Sequence, residues 1–535
     1  MKKLIKLVSD VDDNNHLPEI LGNFLAGIFR YGYLWIFALS SILVFAAGLA
    51  SVNRALWYDE LFTYYVSSLA NSYSVIKALL RKADFYPPLD YLIRHCSMNA
   101  LGKSNLAFRL PSIIFFLIAL LCLYQFVKKR TSVIPALLAF CFPILAMTLR
   151  YSHEGRAYSL LFASSCLSIL AWQKATIDPK NRFKLILLST SLAIGPFSHF
   201  YGVLNYVPIF VGEIVRSVKK RQLCPSILIA IALSLLSLIF LFPFVIPPEG
   251  YTNSFWAKVE IISTIRYYKY LFPNVIYSLM ASLVLGSFLL LYSRREEAKI
   301  HRLERMPLHE FVAALTFCLT PVFMYIIAKL FTNAMRPRYA LATITGFAIL
   351  SGSISQYIYE RSKIWATAIL LCVIGSVLFT LGNDLVMQYR KPRLPFDEQV
   401  ISFIQKSSSP VIVSGSHLYL EMYHFLPDRI KSKPQYLIDR KFARRYLGFD
   451  TDQIDLANLN TIVSLNICPY KAFIHKTKVF LLVGDDGWLI KKITDDVNRG
   501  LAQLEVLKTI GTLKVFRVNM QSQFSTANDL SSGEF

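Results

Sequence analysis

Charge is scarce in this sequence, and scarcest where it would be most informative. Only 17% of the 535 residues are Asp, Glu, Lys or Arg, and the apolar stretches between residues 31 and 381 hold almost none at their centres. Ion-coupled transporters keep ionisable side chains near the bilayer midplane. Here only Arg109 and His199 come close, and both lie near the ends of their stretches. Alternation of polar and apolar residues is missing too, which excludes a membrane barrel. The N-terminus, MKKLIKLVSDVDDNNHLPEI, is basic but has no apolar segment or small-residue cleavage site, so the first apolar stretch is expected to stay in the protein. Of the eight cysteines, Cys122, Cys141, Cys166, Cys318 and Cys372 lie in apolar runs and Cys224 in a basic loop. Nothing pairs Cys96 with Cys468, so there is no disulfide framework. No internal repeat or low-complexity tract is present.

What is abundant is apolar surface. Hydrophobic residues make up 54% of the chain, and the mean hydropathy is +0.44. A soluble core could not hide that much, because single cores stop growing at about 250–300 residues. Lipid is the expected solvent. The net charge of +23 then reads as basic cytoplasmic loops and not as a nucleic-acid surface.

A helix needs about 20 mainly apolar residues to cross the hydrocarbon. Eleven stretches qualify: 31–52, 108–127, 131–149, 157–173, 185–198, 200–215, 226–246, 274–292, 309–330, 339–358 and 364–381. Counting eleven puts Lys2, Lys3, Lys6, Lys128–Arg130, Lys174–Lys184, Arg216–Arg221, Arg294–Arg305, Arg361 and Lys363 on one side, which is cytoplasmic by the positive-inside rule. The other side holds a long first loop (53–107), the Arg150–Arg156 turn, the 247–273 and Phe331–Arg338 loops, and everything beyond 382. Residues 1–381 therefore read as a membrane domain. Residues 382–520 read as a small extracytoplasmic α/β domain, with short strands in Pro410–Gly415 and Lys478–Gly484 and helices in Phe396–Gln405 and Leu418–Phe425. The polar end, 521–535, reads as disordered.

Polar residues crowd the outer helix ends in four clusters. Trp57-Tyr58-Asp59-Glu60 opens the first external loop. Its paired acids at a low-dielectric edge suit general-base or metal-binding work, or form an aromatic belt with two solvated acids. Asp84-Phe85-Tyr86-Pro87-Pro88 follows as a rigid turn. Arg150-Tyr151-Ser152-His153-Glu154-Gly155-Arg156-Ala157-Tyr158 sets Arg150, Glu154 and Tyr158 at i, i+4 spacing. His199-Phe200-Tyr201-Gly202 is a third external turn, its histidine either catalytic or simply packed or solvated. Finally, Arg336-Pro337-Arg338-Tyr339 puts two arginines on the outer side against the topological bias. They are there either to bind phosphate through the guanidinium fork or to snorkel to headgroups.

This ordered set resembles the membrane glycosyltransferases of the GT-C class. Its members are Trp-x-Asp-Glu, Pro-Pro-Leu-x-Tyr, Arg-Leu-Pro-Ser, Ser-x-Glu-x-Arg-x-Tyr, His-aromatic-x-Gly and a late Arg-Tyr. The nearest likeness is to the protein O-mannosyltransferase and lipid A aminoarabinose transferase branch, over about residues 31–380. The resemblance implies a GT-C fold of about eleven membrane helices with the small α/β domain appended. It further implies transfer of a sugar from a polyprenyl-phosphate donor to an acceptor hydroxyl or phosphate on a glycan, lipid or protein, with inversion, at the outer face of a bacterial plasma membrane. Asp59, Glu60 and Glu154 would be catalytic. Tyr86, Arg156, Tyr158, His199, Arg336, Arg338 and Tyr339 would bind substrate. A divalent metal would draw on Asp59, Asp84, Glu154 and His199, though no ligand spacing demands one. Phe85-Tyr86 stands where aminoarabinose transferases carry an acid and a lysine. A polyprenyl-linked glycan ligase or polymerase, or a flippase without transfer, are the competing functions.

Overall fold

The computed structural model describes residues 29–248, 259–293, 306–390, 396–511 and 513–521, with Gly27 and Gly250. The N-terminal lysines, the basic run 294–305 and the polar end beyond 521 lie outside the described residues. The chain divides into two compact units. One comprises residues 1–52, 86–245 and 259–390; the other comprises 53–85, 246–258 and 391–535.

The first unit is a helical bundle. Each of the eleven apolar stretches contains helix. Among the described residues, however, five helices are long and apolar enough to cross a membrane: Gly32–Asn53, Asn105–Lys128, Tyr158–Ile177, Pro225–Val245 and Lys363–Tyr389. A pair bent by 55°, Leu308–Cys318 with Thr320–Thr332, makes a sixth. Breaks and short helices account for part of the difference from eleven. The stretch after Ser132 passes from α-helix into a 3-10 turn at Phe142–Leu145, with Pro143 second in it. The helices Arg182–Ser198 and Tyr206–Lys220 are only 17 and 15 residues long.

Buried polar residues tie the helices together. Arg94 is 1% exposed and makes five hydrogen bonds. It donates to both Asp90 carboxylate oxygens (2.8 and 3.0 Å), to the Phe108 and Arg156 carbonyls (2.7 and 2.9 Å), and to Ser112 Oγ (2.9 Å). Ser112 in turn donates to the Glu154 carbonyl at 2.6 Å. A buried guanidinium is tolerable only when each of its donors is met in this way. The result fixes the 152–156 turn against the helices Leu89–Leu101 and Asn105–Lys128. Glycine makes the same turn fit: a Cβ on Gly155 would stand 2.0 Å from the Phe108 ring. On the neighbouring turn, a Cβ on Gly202 would meet the Gly195 backbone at 2.1 Å. Among other buried acids, Glu310 holds Arg130 at 2.9 Å and Gln173 at 3.0 Å, and Glu213 accepts from Trp172 Nε1 at 3.0 Å.

The second unit contains the helices Tyr58–Ser67 and Ser72–Leu80 from the first loop and an α/β fold from the C-terminal part. Its six strands are β1 (Val411–Val413), β2 (Pro434–Ile438), β3 (Ile467–Pro469), β4 (Val479–Val483), β5 (Ala502–Ile510) and β6 (Leu513–Met520), in the order β3-β2-β1-β4-β6-β5. β1 is parallel to β2 and to β4, and β2 to β3; β6 is antiparallel to both β4 and β5. β1 and β4 read as unbroken apolar runs because they are buried centrally, and Ile412, Leu482, Trp488 and Val518 form the core between sheet and helices.

Candidate active site

In the first unit, Tyr86, Arg156, Tyr158, His199, Arg338 and Tyr339 form one cluster. The His199 ring lies 4.7 Å from that of Tyr339, 5.4 Å from Tyr86 and 5.9 Å from Tyr158. The Arg156 guanidinium sits 4.3 Å over Tyr86, and that of Arg338 lies 5.4 Å from the Tyr158 ring. The Tyr86 and Tyr158 hydroxyls are 3.3 Å apart. Aromatic faces hold the two cations by their ring quadrupoles.

Each member arrives by a different route. Arg156 ends the turn that Arg94 fixes, and Tyr158 opens the helix Tyr158–Ile177 that follows it. His199 follows the last residue of the helix Arg182–Ser198, where the close Gly195–Gly202 approach turns the chain. Arg338 and Tyr339 sit in a 3-10 turn, Pro337–Ala340. Tyr201 was not among the expected site residues, yet it stacks on Tyr339 at 5.3 Å, and its hydroxyl lies 2.8 Å from Thr332 Oγ1.

His199 is 2% exposed. Burial, with the nearby Arg156 and Arg338 charges, pushes its pKa down from 6.5 to about 3, so the ring is neutral. Nδ1 accepts the Tyr201 backbone N–H at 3.1 Å, so the single ring proton resides on Nε2. That nitrogen is buried and has no hydrogen-bond partner. The cluster therefore presents two guanidinium groups and a buried N–H donor, the composition of an anion site.

Glu154 is buried beside this cluster, its carboxylate 3.8 Å from Arg150 Nε. Both Glu154 and Arg338 act electrostatically on the Tyr151 phenol. The neighbouring His153 Nε2 is 3.9 Å from Asp384. Arg336 lies within electrostatic range of Tyr267.

Asp59, Glu60 and Asp84 belong to the second unit. Glu60 is fully buried; it accepts the Trp57 backbone N–H at 3.4 Å and pairs with Arg54 at 3.0 Å, so its carboxylate secures the start of its own helix. Asp59, half-buried, lies within electrostatic range of Asp452. Tyr58 stacks on His417 at 4.0 Å, and its backbone N–H approaches Glu421. Burial raises Glu421 to about 7, a value suited to proton transfer that sequence gave no reason to expect. Asp84 is half-buried in the turn before the paired prolines. Among the described residues, no three His, Cys, Asp or Glu side chains converge as metal ligands.

Residues 86–246 match the family model of dolichyl-phosphate-mannose-protein mannosyltransferase, a span that includes Tyr86, Glu154, Arg156, Tyr158 and His199. ArnT from Cupriavidus metallidurans, crystallised with undecaprenyl phosphate, superposes with a TM-score of 0.51 at 12% identity, over 90% of this chain and 98% of that one. Its apo structure gives 0.50 at 11% identity, over 90% and 97%. The chain has the GT-C fold. No curated protein matches it by sequence. The apolar helices and the GT-C fold together make it an integral membrane protein.

Proposed function

We propose that this chain is a membrane glycosyltransferase that moves a sugar from a polyprenyl-phosphate donor to an acceptor hydroxyl or phosphate, with inversion. It would work at the extracytoplasmic face of a bacterial plasma membrane, on a glycan, lipid or protein. The observation that carries the reading is the buried His199 Nε2–H within electrostatic range of Arg156 and Arg338, three groups suited to a phosphate that carries growing negative charge.

In the proposed reaction the bond from the sugar's anomeric carbon to the phosphate oxygen breaks, and the phosphate keeps the electron pair. Arg156, Arg338 and His199 stabilise that charge as it develops, which is the most effective place to spend binding interactions. The acceptor oxygen forms the new bond from the opposite face and loses its proton to a carboxylate. Asp59 is the proposed base, on the strength of its Trp-x-Asp-Glu motif. Glu154 is proposed to assist within the first unit, and Glu60 to position the helix that carries Asp59. Tyr86, Tyr158 and Tyr339 supply flat walls for the isoprenyl phosphate and sugar.

The test is carrier release from a polyprenyl-phosphate sugar by purified, folded protein. Arg338→Ala and Asp59→Asn are expected to abolish it. Undiminished release by both variants would end the assignment.

A further inference from the structure

The second unit contains a cavity of about 370 Å³ that the transfer reaction does not use. Its position follows from strand order. From β1 the chain winds outward through β2 and β3, then returns to lay β4 on the other side of β1. The connections after β1 and β4 therefore diverge, and a crevice opens beyond their carboxyl ends. In open α/β sheets this switch point is where ligands bind. The cavity lies there, lined by Ser414, Ser416 and His417 after β1 and by Gly484–Trp488 after β4.

Its floor is built tightly. Ser414 Oγ donates to the Asp486 carbonyl at 2.6 Å, and a Cβ on Gly487 (φ +117°) would stand 2.2 Å from the Ser414 carbonyl oxygen. Only glycine allows the two loops to approach so closely. Ser416 Oγ donates to Asp452 at 2.8 Å, and His417 Nε2 is 3.9 Å from the same carboxylate.

Two lining side chains are buried with polar atoms unused. Gln453 is 2% exposed and Trp488 1%, and neither amide atom of Gln453 nor the Trp488 indole N–H makes a hydrogen bond. The Tyr436 hydroxyl comes near both, but not with hydrogen-bond geometry. Buried polar groups left in this state are costly, and they mark places where a ligand completes the set.

The lining chemistry selects the ligand. Asp452, Asp485 and Asp486 face the cavity, and among the described lining residues His417 is the only basic one. Asp450 is already neutralised by Arg440 and Arg444 at 2.8 and 2.9 Å. Phosphates and carboxylates are therefore repelled. Carboxylates and a carboxamide accept from hydroxyls or an ammonium group, the indole N–H donates to a hydroxyl oxygen, and the half-buried Phe449 adds an apolar wall. We infer that this cavity binds a neutral or amine-bearing sugar unit. The inference rests on the second unit alone and is independent of the transfer reading.

The test is saturation-transfer NMR on the full-length protein in detergent, with glucose, glucosamine and glucose 6-phosphate as probes. Saturation should reach glucose and glucosamine, and much less of it the phosphorylated sugar. Asp452→Asn and Gln453→Leu should each weaken sugar binding ~10-fold, the loss expected for one hydrogen bond to a charged or buried partner. Gln453→Leu nearly preserves volume, so it serves if Asp452→Asn does not fold. Arg338→Ala, which disables the proposed phosphate cluster, should leave sugar binding intact. The inference is overturned if no sugar binds, if glucose 6-phosphate binds equally well, if both cavity variants bind as the parent does, or if Arg338→Ala abolishes the signal.

Discussion

The Tyr201 backbone N–H donates to His199 Nδ1 at 3.1 Å, and this one bond decides which nitrogen of the imidazole faces the cluster as a donor. Because burial and two arginines hold the ring neutral, His199 works as a fixed N–H group and not as an acid or base. His199→Ala should slow carrier release roughly 10²-fold, the usual loss for one donor to a developing anion. His199→Gln, which keeps an N–H, should recover part of that loss. Single-turnover rates check both.

The same depressed pKa carries a stability consequence. In the unfolded chain His199 takes up a proton near pH 6.5, whereas in the folded protein it does so only at about 3. Its contribution is therefore complete above about 6.5 and is lost as the pH falls toward 3. Melting curves in detergent should fall across that window, and His199→Gln should flatten the slope.

Glu421 has the opposite sign. Its folded pKa of about 7 exceeds the ordinary 4.5, so the folded state favours the protonated form. Its stability contribution is complete below about 4.5 and is lost as the pH rises through 7. Glu421→Gln should therefore raise the melting temperature at pH 8 and change little at pH 4.5.

Arg94 should be among the least replaceable residues. Arg94→Met would leave the Asp90 carboxylate and the Phe108 and Arg156 carbonyls buried without their donor, at a cost of ~3–5 kcal/mol. The 152–156 turn should loosen with it. Loss of both melting temperature and carrier release is expected.

Two glycines separate side-chain crowding from backbone crowding. Gly155→Ala clashes with the Phe108 ring, so it should cost ~1–3 kcal/mol and be partly rescued by Phe108→Leu. Gly202→Ala meets the Gly195 backbone, so no side-chain change should rescue it. Melting temperatures of the single and double variants decide this.

Hydropathy is a local property, and so the membrane class, the eleven helical stretches and the crowding of Arg156, Tyr158, His199, Arg338 and Tyr339 at helix ends could be read directly from the chain. Span counts were less legible, because Pro143 and the bend between Leu308–Cys318 and Thr320–Thr332 interrupt stretches whose composition alone is continuous. Partnership of buried polar atoms is long-range and left no local trace. Nothing in the sequence singled out Arg94 as the hub of the 152–156 turn, Glu60 as the anchor of its own helix, or Tyr201 as the residue that sets the His199 tautomer. The cavity beyond β1 and β4 depended on strand order, which alternating short apolar runs leave open. Tertiary structure settled these points because a buried donor or acceptor must find its partner wherever the fold brings one, however distant in the chain.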